Sequence, residues 1–167
     1  LTIDRPYNFG VGLFGYLQDA QVRNVGVKNG SIQGDSFVGG LVGNSTNSLI
    51  ENSFSHADVK GYGTIGGLVG GNYDGKIQDS YATGDVTGGA YSSYVGGLVG
   101  GNDNAHIKNS YATGNVTGDE IVGGLVGDNN NNATIQRSYT TGDVTGIQNV
   151  GGLAGNSYYG SEIKDSY

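Results

Sequence analysis

Cysteine, methionine and tryptophan are absent from this sequence, and proline occurs once. Without cysteine there is no disulfide framework, no thiolate zinc site and no cysteine nucleophile. With a single proline and no Gly-X-Y period, a collagen helix is excluded. Charge is scarce and of the wrong sign for nucleic acid: 8 Lys and Arg stand against 15 Asp and Glu, for a net charge of −7, a poor match to a phosphate backbone. No apolar run approaches the roughly 20 residues of a membrane-spanning helix. Residues 1–30 contain no basic stretch leading into an apolar one, so no signal peptide lies in this sequence, and an exported protein would have lost it. A length of 167 residues suits one domain or one repeat array.

What is abundant is glycine, 34 of 167 residues, about three times ordinary usage. Such a composition suggests a flexible linker, but the order of the residues argues otherwise. Val38-Gly39-Gly40-Leu41-Val42-Gly43 recurs at Ile65–Gly70, Val95–Gly100, Val122–Gly127 and Val150–Gly155, with a divergent relative at Gly10–Gly15. The copies start at 10, 38, 65, 95, 122 and 150, a period of 27–30 residues. Nine or ten residues after each Leu comes Val22, Ile50, Ile77, Ile107, Ile135 or Ile163. Three further on stand Ser53, Ser80, Ser110, Ser138 and Ser166, each followed by an aromatic residue: Phe54, Tyr81, Tyr111, Tyr139 and Tyr167. A third apolar slot holds Ile32, Val59, Val86, Val116 and Val144. Apolar slots that keep their places while the residues between them change are the mark of a folded array.

The period selects the architecture. Units rich in Gly, Val, Thr, Tyr and Asn lack the helix formers and the 3.6-residue pattern of helical repeats. Leucine-rich repeats need several leucines per unit, and a propeller blade needs about 40 residues. The expectation is an all-β fold: residues 1–167 form one parallel β-solenoid of about six coils, the first copy divergent and the last incomplete. Short strands are expected at the GGLVG segment, around the Ile anchor, and from Tyr-Ala-Thr to Val-Thr. The core is expected to be stacked ladders: Leu41, Leu68, Leu98, Leu125 and Leu153; Ile50, Ile77, Ile107, Ile135 and Ile163; and the Val59 series. Gly and Asn are expected at corners that need positive φ, and the Gly pair where backbones approach closely. Strict alternation would put Leu41 on the opposite face from Val38 and Val42 although all three are apolar. Either a bulge at the Gly pair or a strand covered on both faces would resolve this.

These units resemble the GLUG motif, a Gly-Leu-x-Gly repeat of bacterial cell-surface and secreted proteins, over residues 10–167. The motif occurs in large adhesins, in hemagglutinin-like proteins and in the non-catalytic parts of IgA-specific metallopeptidases. The resemblance implies an extracellular or cell-surface, repetitive β-structure and carries no enzymatic activity with it. A zinc metallopeptidase would need two histidines one helical turn apart and a glutamate; His56 and His106 belong to different units.

Four groups of residues invite a chemical reading. Asn72-Tyr73-Asp74-Gly75, Asn102-Asp103-Asn104 and Asp128–Asn132 offer oxygens to calcium. They lack the fixed nonapeptide aspartate of calcium-binding rolls and read as Asx turns and stacked asparagines. Asp58, Asp85 and Asp143 share a slot with Asn115, which reads as a solvated turn and not as an acid/base pair. Tyr81, Tyr111, Tyr139 and Tyr167 share a slot beside small residues. They are expected to face outward as an aromatic row, which either binds sugar faces or only stabilises the stack. Thr83, Thr113 and Thr141, with Thr87, Thr117 and Thr145, form two threonine files, the pattern of ice-binding surfaces, interrupted by Asp or Asn. Asn29, Asn44, Asn115 and Asn132 stand in Asn-x-Ser/Thr sequons.

No catalytic residue, metal site or cofactor is expected. The leading expectation is a non-enzymatic structural or adhesive protein; a glycan- or ice-binding module of a larger adhesin is the alternative. The expected partners are copies of itself, stacked head to tail into a surface filament, or glycans of a host or the environment, with neither nucleic acid nor a membrane span. Joining Tyr167 to Leu1 of another copy would place nine residues before Gly10, nearly in phase with the repeat. Pro6 and the irregular first copy could instead cap the array.

Overall fold

A computed structural model describes residues 1–167 and contains no helix. It has 29 short strands in five sheets, every pairing parallel and one coil apart. The third coil shows the plan: Asp58–Gly61 (sheet A), Thr64–Gly66 (sheet B), Val69–Tyr73 (sheet C), Lys76–Gln78 (sheet D) and Tyr81–Ala82 (sheet E). Sheets A to D have six strands each and sheet E has five. The architecture is a parallel β-solenoid of six coils with a repeat near 28 residues.

Five strands per coil replace the three expected. The Tyr-Ala and Val-Thr segments are separate strands in sheets E and A, turned apart at Gly84 and Asp85. The GGLVG segment is likewise two strands. Ser36–Gly39 ends in sheet B, Gly40 and Leu41 make a corner, and Val42–Thr46 begins sheet C. This corner is why Val38, Leu41 and Val42 are all fully buried: the strand breaks at the Gly pair, so alternation never has to carry across it.

The core runs along the axis as stacked columns. Ile3, Ile32, Val59, Val86, Val116 and Val144 are paired in register in sheet A. The Ile column of sheet D is paired from Val22 to Ile163. The leucines sit at the sheet B–C corner, where each amide donates to the carbonyl of the leucine one coil on, at 2.9 Å from Leu41 through Leu125. Burial is complete in the middle of the array and fails at its last coil. Leu153 is only half-buried, and Ile163 is 39% exposed against 0% for Ile135. Ile163 therefore belongs to the column by register but not to the core, because a solenoid residue is sealed only when coils lie on both sides of it.

Of the two tasks expected of glycine, close backbone approach is the one it performs, and the positive-φ corners pass mostly to Asn and Asp. Only Gly10 and Gly160 have positive φ; the left-handed corner positions belong to residues such as Asn47, Asn52, Asp74, Asp79, Asn104 and Asn109, whose short side chains tolerate that conformation. Most glycines are needed because no Cβ fits. A Cβ on Gly96 would lie 2.0 Å from the Val99 carbonyl oxygen and 2.7 Å from the Gly127 nitrogen, and one on Gly100 would lie 2.6 Å from the Ile65 nitrogen. Sheets B and C thus press backbone against backbone, the close approach expected at the Gly pair.

Buried polar side chains complete the stack. Asn72 donates its side-chain amide to Asn102 Oδ1, and Asn102 to Asn129 Oδ1, both at 2.9 Å. The repeated serine closes the corner between sheets D and E. The hydroxyls of Ser53, Ser80, Ser110 and Ser138 donate to the carbonyl two residues earlier in their own coil. Each Oγ from Ser80 onward accepts the amide of the serine one coil before it. Backbone groups left over at a corner are satisfied in this way, as buried ones must be.

Candidate binding surfaces

The aromatic slot forms one continuous outward ladder. Ala82 and Ala112 are buried beside it, while Tyr81, Tyr111 and Tyr139 are half-exposed and Tyr167 is exposed. Successive rings of Phe54, Tyr81, Tyr111, Tyr139 and Tyr167 have centroids 5.3, 4.8, 5.0 and 5.4 Å apart, with planes within 2–11° of parallel. Parallel in-register strands impose this spacing, since adjacent coils lie about 4.8 Å apart. Phe54 adds a fifth ring to the four tyrosines, and at its far end it lies over Gly26, where any Cβ would meet the ring. Partial burial, and the phenols of Tyr81 and Tyr139 beside it, raise the Tyr111 pKa above the ordinary phenol value.

The two threonine files do not form one face. Thr87, Thr117 and Thr145 are exposed and in register on sheet A. Thr83, Thr113 and Thr141 continue the sheet E strands, on the other side of the Gly84–Asp85 corner and its equivalents. A flat threonine lattice is therefore not built. Asp58, Asp85, Asn115 and Asp143 are exposed at that same corner, and each of the first three accepts the backbone amide of the next member through Oδ1, at 2.8–3.1 Å. Their side-chain oxygens act as stitches between coils.

The Asn/Asp corners pair with one another in the same manner. Asn47 donates to Asp19, Asn104 to Asp74 and Asn109 to Asp79. No group of three or more His, Asp or Glu side chains converges to hold a metal ion. His56 lies beside the Phe54 and Tyr81 rings; His106, in sheet D, meets the Thr134 hydroxyl through Nδ1 at 2.9 Å. Of the sequon asparagines, Asn29, Asn115 and Asn132 are exposed, whereas Asn44 is half-buried with its Oδ1 shielded from solvent.

Asp128, the first of the Asp128–Asn132 run read from the sequence as turns and stacked asparagines, lies instead within a strand, in a cluster of its own. Asp128 is paired in sheet C with Gly101 and Asn156, a column in which Gly71 lies beneath the rings of Phe37 and Tyr73. It is only 7% exposed, and its Oδ1 has no hydrogen-bond partner. Burial pushes its carboxyl above the usual range, against the opposing effect of the Tyr158 and Asn156 side chains beside it. Burial and then Asp128 raise the Tyr94 phenol in turn. The available signal was an aspartate in a column that holds glycine in the two preceding coils.

The model of the GLUG-motif family matches residues 61–87 and 91–117, and the strand register places the remaining coils on the same columns. No curated protein matches the sequence. Among solved structures, one titled IgA1 Protease is similar to this chain with a TM-score of 0.69 at 24% identity, over 87% of this chain and 13% of that one. At that identity the likeness is one of fold, and this chain spans a small part of that protein's length. The chain is thus a parallel β-solenoid in which residues 61–87 and 91–117 match the GLUG motif, each wound as about one coil.

Proposed function

We propose that this chain is a non-enzymatic structural and adhesive segment of a protein that works outside the cell, and that it touches glycans through its aromatic row. The observation that carries this reading is the outward ladder from Phe54 to Tyr167, with centroid spacings of 4.8–5.4 Å. Aromatic faces and edges with a polar hydroxyl suit surfaces that are apolar on one side and wet on the other, as sugar rings are. The stitched carboxylates of Asp58 and Asp85 support a non-enzymatic role, since an acid/base pair needs carboxylates free to face a substrate. The likeness to 13% of a chain named for a protease of an immunoglobulin supports one repetitive segment of a larger extracellular protein. The experiment is a glycan-binding screen of the wild type and Tyr111→Ala, with circular dichroism as the check on folding. The variant is expected to bind its glycan about tenfold more weakly, a loss of about 1.4 kcal/mol. Equal binding by the two proteins, or binding to no glycan, would sink the adhesive reading of this row.

A second reading, end-to-end stacking into a filament, has its own observation. The outer coils leave apolar side chains uncovered: Phe9 and Leu13 at one end, Ile147 and Val150 at the other, at 41–76% exposure. Unpaired parallel edges lie beside them, and such edges favour addition of a further strand. A head-to-tail contact that does not close on itself gives a filament. Electron microscopy of the concentrated protein is expected to show rods longer than six coils; stable monomers of constant mass would refute stacking.

A further inference from the structure

Sheet D gathers cations in a chain that is otherwise acidic. Each of its strands but the last buries the middle residue and turns the first and third outward, as in Lys76–Gln78 and His106–Lys108. Towards the two ends the charges cancel, because Arg23 pairs with Glu51 and Lys164 with Glu162. Between Glu51 and Glu162 the outward side chains are Lys76, Gln78, His106, Lys108, Thr134 and Gln136, and none is acidic. They line a trough of about 280 Å³ that crosses three coils. Lys76 and Lys108 have no ion-pair partner. Arg137 stands at the next corner, its Nε donating to Asn109 Oδ1 at 3.0 Å. The carboxylates that border it are already engaged: Glu51 by Arg23 and Gln78, Glu162 by Lys164, and Asp74 and Asp79, at the corners of the Lys76 coil, by Asn104 and Asn109.

We propose that this trough binds an anionic polysaccharide, one that presents carboxylates or sulfate esters among hydroxyls. The two unpaired ammonium groups lie diagonally on adjacent coils, roughly 8 Å apart at their Cα atoms by strand geometry, and take the anionic groups. Gln136, and the remaining hydrogen-bonding capacity of Gln78 and Thr134 beyond their bonds to Glu51 and His106, supply the neutral donors and acceptors that hydroxyls require. Nucleic acid fits less well: the one aromatic ring in the trough, the His106 imidazole, is held by the Thr134 hydroxyl, and no second ring is present on which successive bases could stack. The trough lies on a different sheet from the aromatic row, across the Asp79–Ser80 corner, and does not rest on the reading of that row.

The test is retention of the full 167-residue protein on immobilised dextran sulfate, polygalacturonate, neutral dextran and duplex DNA, at low and at high salt. The wild type is expected to be held by one or both polyanionic glycans at low salt, released at high salt as screening sets in, and not held by neutral dextran. Retention by dextran sulfate alone assigns sulfate esters as the ligand, by polygalacturonate alone carboxylates. The pair Lys76→Glu and Lys108→Glu, both at exposed sites, is expected to weaken binding at least tenfold with an unchanged circular dichroism spectrum. The pair Lys76→Gln and Lys108→Gln should give a smaller loss in the same direction. Lys28→Glu with Lys60→Glu, exposed cations elsewhere, should leave binding unchanged. Retention by neither glycan, an equal loss in the Lys28 and Lys60 variant, or equally strong retention by duplex DNA would overturn the proposal.

Discussion

Gly96→Ala is expected to destroy the folded array, or to destabilise it by more than about 4 kcal/mol, the range reserved for gross steric or polar damage. The added Cβ would stand 2.0 Å from the Val99 carbonyl oxygen and 2.7 Å from the Gly127 nitrogen. Both obstacles are backbone, so no rotamer change relieves them. Moving either strand would disturb the equivalent contacts of Gly66 and Gly123 in the neighbouring coils, which are just as close. Gly152→Ala is the control: nothing lies within 4 Å of its Cβ position and its φ is not positive, so its effect should stay within about 0.5 kcal/mol, as at ordinary surface sites. Urea denaturation followed by circular dichroism compares the two. Equal stability would mean that sheets B and C are not in backbone contact.

Leu98→Ala removes a fully buried side chain from the middle of the leucine column, with Leu68 on one side and Leu125 on the other. Its expected cost is about 2–5 kcal/mol, the transfer term plus the cavity left behind. For a chain of this size that lowers the thermal midpoint by roughly 5–20 °C. Leu153→Ala, chemically the same change in the half-buried last member of the column, should cost clearly less, because part of that side chain already faces water. Thermal melts of the two variants measure the difference. Equal losses would show that burial is uniform along the array and that its last coil is sealed in solution.

Much of this was legible in the amino-acid order. A constant period with fixed apolar slots has one economical solution, stacked coils, because a single coil buries almost nothing and neighbours bury every slot. The tyrosine row was legible for the same reason: the same residue in the same slot of a parallel in-register stack lands about 4.8 Å from its neighbour, and the small residue beside it marks the inner face. The serine slot was visible, but its role was not. That role depends on which carbonyl lies two residues back at a turn and which amide lies one coil before, and neither leaves a trace in periodicity.

Composition and spacing by themselves determined the all-β class, the number of coils, the identity of the columns and the outward tyrosines, because each follows from repetition along one axis. Tertiary structure alone decided where the chain turns within a coil. It divided the Val-Gly-Gly-Leu-Val-Gly segment between two sheets and withheld nearly all the positive-φ corners from glycine. It also decided what lies side by side across different slots: the buried Asp128 beside its tyrosines, and Lys76 diagonal to Lys108 on a stretch of sheet D between two glutamates that are already paired. Repetition constrains neighbours along the stack, whereas neighbours around the coil are set by five corner angles that no single slot encodes.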